Sequence, residues 1–148
     1  MLEPFKSLFE MLVAELPPGS ARVNVYRVPR GDGSVIEVLP ANKKSAPFGV
    51  HLDDGGAGYL DFSFGRIGTW ELPHEGRNDK AEVKQLVVEV EQMSRAVIAG
   101  SCDETRRLFA LTSRIYVDGF TYKVVNLPML LLPPFGTRRF APYVSSQR

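Results

Sequence analysis

The stretch from Phe48 to Gly100 changes its hydrophobic period, and this change constrains the fold more than any other feature of the chain. In its first part apolar residues alternate with polar ones, as in strands that bury one face. In its second part apolar residues recur at helical spacing. The alternating residues are Val50, Leu52, Leu60, Phe62, Phe64, Trp70 and Leu72, and the helical ones are Val83, Leu86, Val87, Val90, Met93 and Val97. Strands followed by a long one-faced helix predict a sheet with helices on one side.

A first helix and two hairpins flank this block. Met1–Leu16 carries an apolar stripe at helical spacing and is followed by two prolines and a glycine, which end a helix. Alternating patterns on either side of turn residues predict two antiparallel hairpins. Their strands are Ala21–Val28 with Ser34–Leu39, and Arg114–Val117 with Phe120–Val125. The capping-box spacing of Ser101 and Glu104 favours a short helix over residues 101–111.

Together these elements predict a two-layer α+β sandwich. We expect a mostly antiparallel sheet of about six to seven strands, with two helices packed on one of its faces. The length of 148 residues is typical of one domain, so a single α+β domain is expected over residues 1–148. Residues 128–148 are expected to form an irregular, proline-rich C-terminal tail of this domain.

Composition argues against several classes of function. The formal net charge of +1 supplies no global field that would attract nucleic acid. Cys102 is the sole cysteine, which excludes an internal disulfide and favours a reducing, cytoplasmic location. No apolar run reaches the roughly 18 residues that a membrane-spanning helix needs, and charges interrupt the first helix, so neither a membrane span nor a signal peptide is expected.

Motifs for cofactors and metals are not found in the sequence. It contains no glycine-rich phosphate loop, no dinucleotide-binding fingerprint and no nucleophile elbow. His74 and Glu75 begin like a zinc-protease motif, but the second histidine four residues later is absent. We therefore expect no cofactor and no metal site.

One cluster in the central hairpins has the composition of a catalytic site. If Leu52 pairs with Leu60, then His51 lies opposite Asp61 on the face away from the core, and Ser63 is diagonal to His51. A three-residue turn in which Gly68 is left-handed would place Phe64 opposite Trp70, Phe62 opposite Leu72 and Glu71 opposite Ser63. An imidazole held by a carboxylate and near a serine is the arrangement of a hydrolase. A solvated polar face of an antiparallel sheet explains the same residues without catalysis.

The C-terminal tail carries the second set of candidate residues. Four consecutive apolar residues, Met129–Leu132, are costly to expose, so they are expected either to pack on their own domain or to contact a partner. Aromatic and basic residues follow them. The candidate partner-binding residues are Tyr59, Met129, Leu131, Phe135, Arg138, Arg139 and Phe140.

Two functional hypotheses follow from these observations. The first is a non-catalytic module that binds another protein or a second copy of itself, for example in the manner of an immunity protein or antitoxin. Missing catalytic motifs and the scarcity of histidine and cysteine favour it. The alternative is a small hydrolase or ligand-binding enzyme that uses the cluster of His51, Asp61, Ser63 and Glu71, and it requires a pocket around them.

Overall fold

The computed structural model describes residues 2–28, 33–53, 60–65, 68–72, 80–107, 110–126 and 136–144. Within these ranges the chain forms two helices and nine strands. The helices are α1 (Leu2–Ala14) and α2 (Lys80–Ile98). The strands are β1 (Ala21–Arg27), β2 (Gly33–Pro40), β3 (Phe48–Asp53), β4 (Leu60–Phe64), β5 (Gly68–Leu72), β6 (Cys102–Arg107), β7 (Ala110–Val117), β8 (Phe120–Asn126) and β9 (Gly136–Arg139).

The strands form two antiparallel sheets, which confirms the predicted α+β class. Sheet A has the order β1-β2-β3-β4-β5, and sheet B has the order β8-β7-β6-β9. The expected single sheet of about six to seven strands is thus divided in two. The helices are divided as well, since α1 packs mainly against β1 and β2 whereas α2 packs mainly against β7. Contacts of β5 with β7 and β8 join the two sheets.

One contiguous apolar core connects both helices and both sheets. It contains most of the residues that the hydrophobic periods select, while Trp70 and Val87 are only partly buried against it and Val83 is not part of it. On α1, the buried residues are Phe5, Leu8, Phe9 and Leu12, and on α2 they include Leu86, Val90, Met93 and Val97. The Phe9 ring meets the Phe48 ring edge-on, with centroids 5.3 Å apart. Trp70 is half-buried and meets Tyr122 edge-on at 5.3 Å, so this aromatic pair ties β5 to β8.

The end of α2 follows from a glycine. Gly100 has a φ of +75°, and its N–H donates to the carbonyl of Val97 while the N–H of Ser101 donates to that of Ala96. This pair of bonds is the Schellman motif, which needs a left-handed residue after the helix. One turn earlier, the Arg95 guanidinium donates to both carboxylate oxygens of Glu15 and so links the ends of the two helices. Neither described helix is long and apolar enough to cross a membrane.

Hairpin pairing is confirmed at β3–β4 and β7–β8 but is wrong by two residues at β4–β5. Leu52 pairs with Leu60 and Val117 pairs with Phe120, as predicted. In the third hairpin Phe62 lies opposite Trp70 and Leu60 opposite Leu72, and the left-handed glycine is Gly65 (φ +65°) rather than Gly68. A shift by two residues keeps every side chain on its predicted face.

The short helix expected over residues 101–111 is wrong, because Cys102–Arg107 is a strand. It lies between β7 and β9, so the ladders on both sides take up its backbone hydrogen bonds. The capping-box spacing of Ser101 and Glu104 is overridden, since the left-handed turn at Gly100 leads the chain directly into these ladders. Pairing with distant segments therefore outweighs a weak local helix signal.

The described part of the C-terminal tail packs on its own chain. Residues 136–139 form β9, and after it Phe140 and Tyr143 lie in the core. The Tyr143 hydroxyl donates to the carbonyl of Ala46 at 2.7 Å, and the Tyr143 N–H donates to the carbonyl of Ile98. The apolar run Met129–Leu132 lies outside the described residues. Whether it packs on its own domain or contacts a partner therefore stays a prediction.

Replacement of Phe9 by alanine should lower the free energy of unfolding by about 3–5 kcal/mol, because it deletes a fully buried ring and leaves a cavity beside Phe48. Urea denaturation measures the change. Val88→Ala on the exposed side of α2 is the control and should stay within about 0.5 kcal/mol of the wild type. A loss below about 1 kcal/mol for Phe9→Ala would contradict the packing described above.

Candidate functional site

The outer face of sheet A, turned away from the core, carries the cluster proposed as a hydrolase site. Strand register places His51 opposite Asp61 and Asp61 opposite Glu71 in one row across β3, β4 and β5. Together with Asp53, these residues line a shallow, open depression. We call the outer side chains of sheet A the acidic face. It comprises Glu37, His51, Asp53, Asp61, Ser63 and Glu71 with their neighbours in the alternation.

The two ring nitrogens of His51 lie beside Asp61 and beside β2. Its Nδ1 lies 3.9 Å from the nearer carboxylate oxygen of Asp61, which is longer than a hydrogen bond. Its Nε2 lies against β2, where a Cβ added to Gly33 would be only 2.5 Å from it. Glycine at position 33 therefore leaves room for the imidazole beside the neighbouring strand.

Ser63 does not complete a triad with His51. Its hydroxyl contacts the carbonyl oxygen of Gly49 at 3.5 Å, at the outer limit of a hydrogen bond. Glu71 was expected opposite Ser63 but faces Asp61, and Thr69 lies opposite Ser63 instead. The fold thus brings the histidine and both carboxylates into one row but leaves the serine in the next. Among the described residues, no three histidine, cysteine or acidic side chains converge to hold a metal ion.

The outer face of sheet B has the opposite charge and a better-ordered set of contacts. One row of the strand register reads Arg139, Asp103, Arg114 and Lys123 across β9, β6, β7 and β8. Tyr116, Thr121, Val125 and Thr137 are exposed on the same face. We call the outer side chains of sheet B the basic face, because this row carries three cations and the single carboxylate of Asp103.

Asp103 is the centre of a polar network on the basic face. It is almost fully buried, and one of its oxygens accepts a hydrogen bond from the Tyr116 hydroxyl at 2.6 Å. The other oxygen accepts from Arg114 at 3.2 Å, and the same guanidinium nitrogen donates to Thr105 at 3.3 Å. The hydrogen bond to the Asp103 carboxylate raises the pKa of the Tyr116 phenol above its usual range, and partial burial raises it further. These bonds fix an aromatic ring and a guanidinium on an otherwise open sheet surface.

The inner side of β6 carries Cys102 and Glu104, both buried. Burial, reinforced by the negative charges of Glu104 and Asp103, raises the pKa of the Cys102 thiol to about 12. The thiol is therefore protonated at neutral pH and is a poor nucleophile. Its surroundings make it a small apolar core residue.

The expected partner-binding residues divide into three groups. Tyr59, Met129, Leu131 and Phe135 lie outside the described residues. Arg138 and Arg139 are exposed on β9, as a surface role requires. Phe140 was expected beside them but is only 5% exposed, because the chain turns inward after β9 and buries this ring in the core. The Arg138 guanidinium covers the Phe140 ring at 5.2 Å from its centroid.

The basic face is the feature that sequence reasoning missed. Alternation in the last hairpin does predict that Arg114 and Tyr116 point away from the core, since Ile115 and Val117 point toward it. The sequence did not reveal that Asp103 contacts both Arg114 and Tyr116, because Asp103 lies in a segment that was predicted to be a helix. A strand interpretation of Cys102–Arg107 would have placed Asp103 on the outer face.

Comparisons with protein families, with curated proteins and with solved structures give no match to this chain. Its function therefore has to be inferred from the chemistry of the two sheet faces.

Replacement of Arg114 by methionine should lower the free energy of unfolding by about 1.5–3 kcal/mol, because the nearly buried Asp103 carboxylate loses its cationic donor. Lys123→Met is the matched control in the same row of the register, and it should change stability by less than about 0.5 kcal/mol because Lys123 is exposed. Equal losses for the two variants would show that Asp103 is not organised by Arg114.

The Cys102 thiol should resist alkylation by iodoacetamide at pH 8 in the folded protein and react readily after unfolding in urea. Its burial and its pKa of about 12 leave almost no accessible thiolate at that pH. Mass spectrometry of the intact chain measures the modified fraction. Fast modification under native conditions would contradict the buried position.

Proposed function

We propose that this chain is a non-catalytic protein-interaction module whose basic face binds an acidic surface of a partner protein. The observation that carries the proposal is the network in which Asp103 fixes Arg114 and Tyr116 on the outer face of sheet B. Arginine and tyrosine are the side chains that most often dominate binding energy at protein interfaces.

Preorganisation makes these two side chains suitable anchors. A flexible arginine loses about 0.5–1.5 kcal/mol of rotamer entropy when a partner immobilises it, and bonds to Asp103 and Thr105 remove part of that cost before binding. Tyr116 is likewise held by its short bond to Asp103 while its ring remains accessible. The face is therefore prepared for a partner rather than merely solvated.

Charge selects the chemistry of the partner. Asp103 is already engaged by Arg114 and Tyr116, so the positive charges of Arg139 and Lys123 at the two ends of the row are available to acidic side chains. An acidic patch on a protein complements this arrangement and is steered toward it. The exposed apolar side chain of Val125 on the same face adds a contact that suits a protein surface better than a phosphate backbone.

An immunity-like or antitoxin-like role is one concrete form of such a module. A protein of this type neutralises a toxin by covering its surface, which needs complementarity but no catalytic group. A cytoplasmic location is part of the proposal, because the chain keeps its sole cysteine as a buried free thiol. The acidic face is not assigned a catalytic role, since Ser63 contacts Gly49 and not His51.

Site-specific photo-crosslinking in cells tests the proposal. A crosslinking residue at Thr121, exposed on the basic face, should capture a defined protein, whereas the same residue at Thr69 on the acidic face should not. Once identified by mass spectrometry and purified, that protein should bind the wild-type chain in calorimetry. The double variant Lys123→Glu/Arg139→Glu should weaken binding about tenfold or more, and increasingly so at low salt.

A matched double reversal on α2 serves as control. Lys80→Glu/Lys84→Glu changes two exposed cations outside the basic face and should leave the affinity unchanged. Equal loss for both variants would indicate a general charge effect and contradict the assignment of the basic face. Tight, salt-dependent binding of a fluorescent single-stranded oligonucleotide at the basic face would instead favour a nucleic-acid partner.

A further inference from the structure

Along the outward edge of β1, the described part of the chain leaves a row of backbone groups unpaired. At one end of the β1–β2 ladder the N–H of Val28 donates to the carbonyl of Gly33, and at the other the N–H of Ala41 donates to the carbonyl of Ser20. Both bonds belong to the register of this ladder, so the even-numbered residues of β1 direct their N–H and C=O groups toward β2. The odd-numbered residues direct theirs away from the sheet. Within the described chain, β1 pairs with β2 alone.

The other described edges are protected in ways that β1 is not. β9 has only four residues and begins with a glycine, and β5 contacts sheet B. β8 has the length of β1, but pairing it with a second copy over its full length would place Lys123 opposite Lys123. Like charges at opposed positions destabilise a ladder. β1 runs for seven residues without proline or lysine, two common protections of sheet edges.

Side chains on both faces of β1 are exposed where an adjacent strand would cover them. Val25, on the face toward the core, is 43% exposed, and Tyr26, on the outer face, is 42% exposed. Burying both would add apolar contact to the main-chain hydrogen bonds. A partner strand can cover both faces at once, which a partner docked on one face of the sheet cannot do.

The sequence of β1 is self-complementary about its central residue. An antiparallel second copy centred on Asn24 places Val23 opposite Val25 and Arg22 opposite Tyr26, each twice by symmetry. The first pair buries β-branched side chains, and the second brings a guanidinium to an aromatic ring. No like charges are opposed in this register. Asn24 lies opposite its own copy, with its side-chain amide donating to Glu37 at 2.9 Å.

We infer that β1 pairs with β1 of a second copy across a two-fold axis at Asn24, which forms one continuous sheet with five strands from each copy. A two-fold arrangement is closed, so pairing stops at the dimer. The basic face lies on the other sheet and is left accessible. The inference does not depend on the proposed function, and either can fail without the other.

Disulfide trapping tests the register. In this dimer the two Asn24 positions form a pair without mutual hydrogen bonds, with Cα atoms about 4.5 Å apart, within the range that a disulfide spans. Asn24→Cys should therefore form a disulfide-linked dimer under mild oxidation. Arg22→Cys lies on the same face, but its two copies would be about 14 Å apart and should remain unlinked. The native Cys102 is buried and does not compete.

Linkage of Asn24→Cys alone supports the proposed register, and linkage at Arg22→Cys or at neither position contradicts it. Linkage at both contradicts it too, because one register cannot bring both pairs together.

A second experiment probes the free amides without altering the fold. Val25→Pro removes an N–H that is directed outward and leaves every hydrogen bond to β2 in place, so the variant should fold. In sedimentation it should keep the mass of one chain, whereas the wild type should reach twice that mass as its concentration rises. Val125→Pro is the matched control on β8, where residue 125 is also directed outward and is 48% exposed, and it should still dimerise. Circular dichroism verifies folding of both variants.

Amide hydrogen exchange of the wild type completes the test. The outward amides of Val23 and Val25 should exchange quickly in dilute protein and slowly in concentrated protein, whereas the inward amides of Asn24 and Tyr26 should be protected at both concentrations. A wild type that keeps the mass of one chain at every concentration, with Val23 and Val25 exchanging quickly throughout, would overturn the inference.

Discussion

The pairing of β6 on both of its edges is the interaction on which the second half of the structure depends. β6 accepts β7 on one side and β9 on the other, so a segment with little apolar character becomes a central strand. β9 then directs the chain end inward, where Phe140 and Tyr143 complete the core that α1 and sheet A began. Without that pairing, sheet B would be a hairpin alone, and a two-stranded hairpin is at best marginally stable in water.

Placing a polar strand at the centre of a sheet has an energetic cost, because its charged side chains lose hydration. The contacts that offset this cost form the candidate site. Asp103 and Glu104 point to opposite faces of β6 and both are nearly buried. A buried carboxylate is tolerated only when donors replace its lost hydration. Arg114 and Tyr116 supply those donors to Asp103 on the outer face. The contacts that stabilise the buried Asp103 carboxylate are thus the same contacts that order the proposed binding surface.

The net charge of the chain conceals a strong asymmetry between its two sheets. A formal charge of +1 suggests no preference for charged partners, yet the outer face of sheet A is mainly acidic and that of sheet B is mainly basic. Charge summed over a sequence reports on solubility, whereas recognition depends on which charges share a face.

The sequence alone determined the features that depend on local period and turn chemistry. The stripes of α1 and α2 follow from the helical period of their apolar residues. The pairing of His51 with Asp61 follows from alternation, and that of Val117 with Phe120 follows from alternation and the Asp118–Gly119 turn. Such signals are contained within a few residues, so no knowledge of the rest of the chain is needed. The two-residue error at β4–β5 arose because two glycines, Gly65 and Gly68, could each be the left-handed residue, and the structure uses Gly65.

Only the tertiary structure decided the division into two sheets, the strand Cys102–Arg107 and the burial of Phe140. Each depends on contacts between segments far apart in the chain, and a polar segment such as β6 carries no hydrophobic period that reveals its partners. The basic face shares this origin, since Asp103 meets Arg114 and Arg139 only after β6 has paired with both of its neighbours. Local patterns therefore fixed which side chains avoid the core, and long-range pairing fixed which of them lie together.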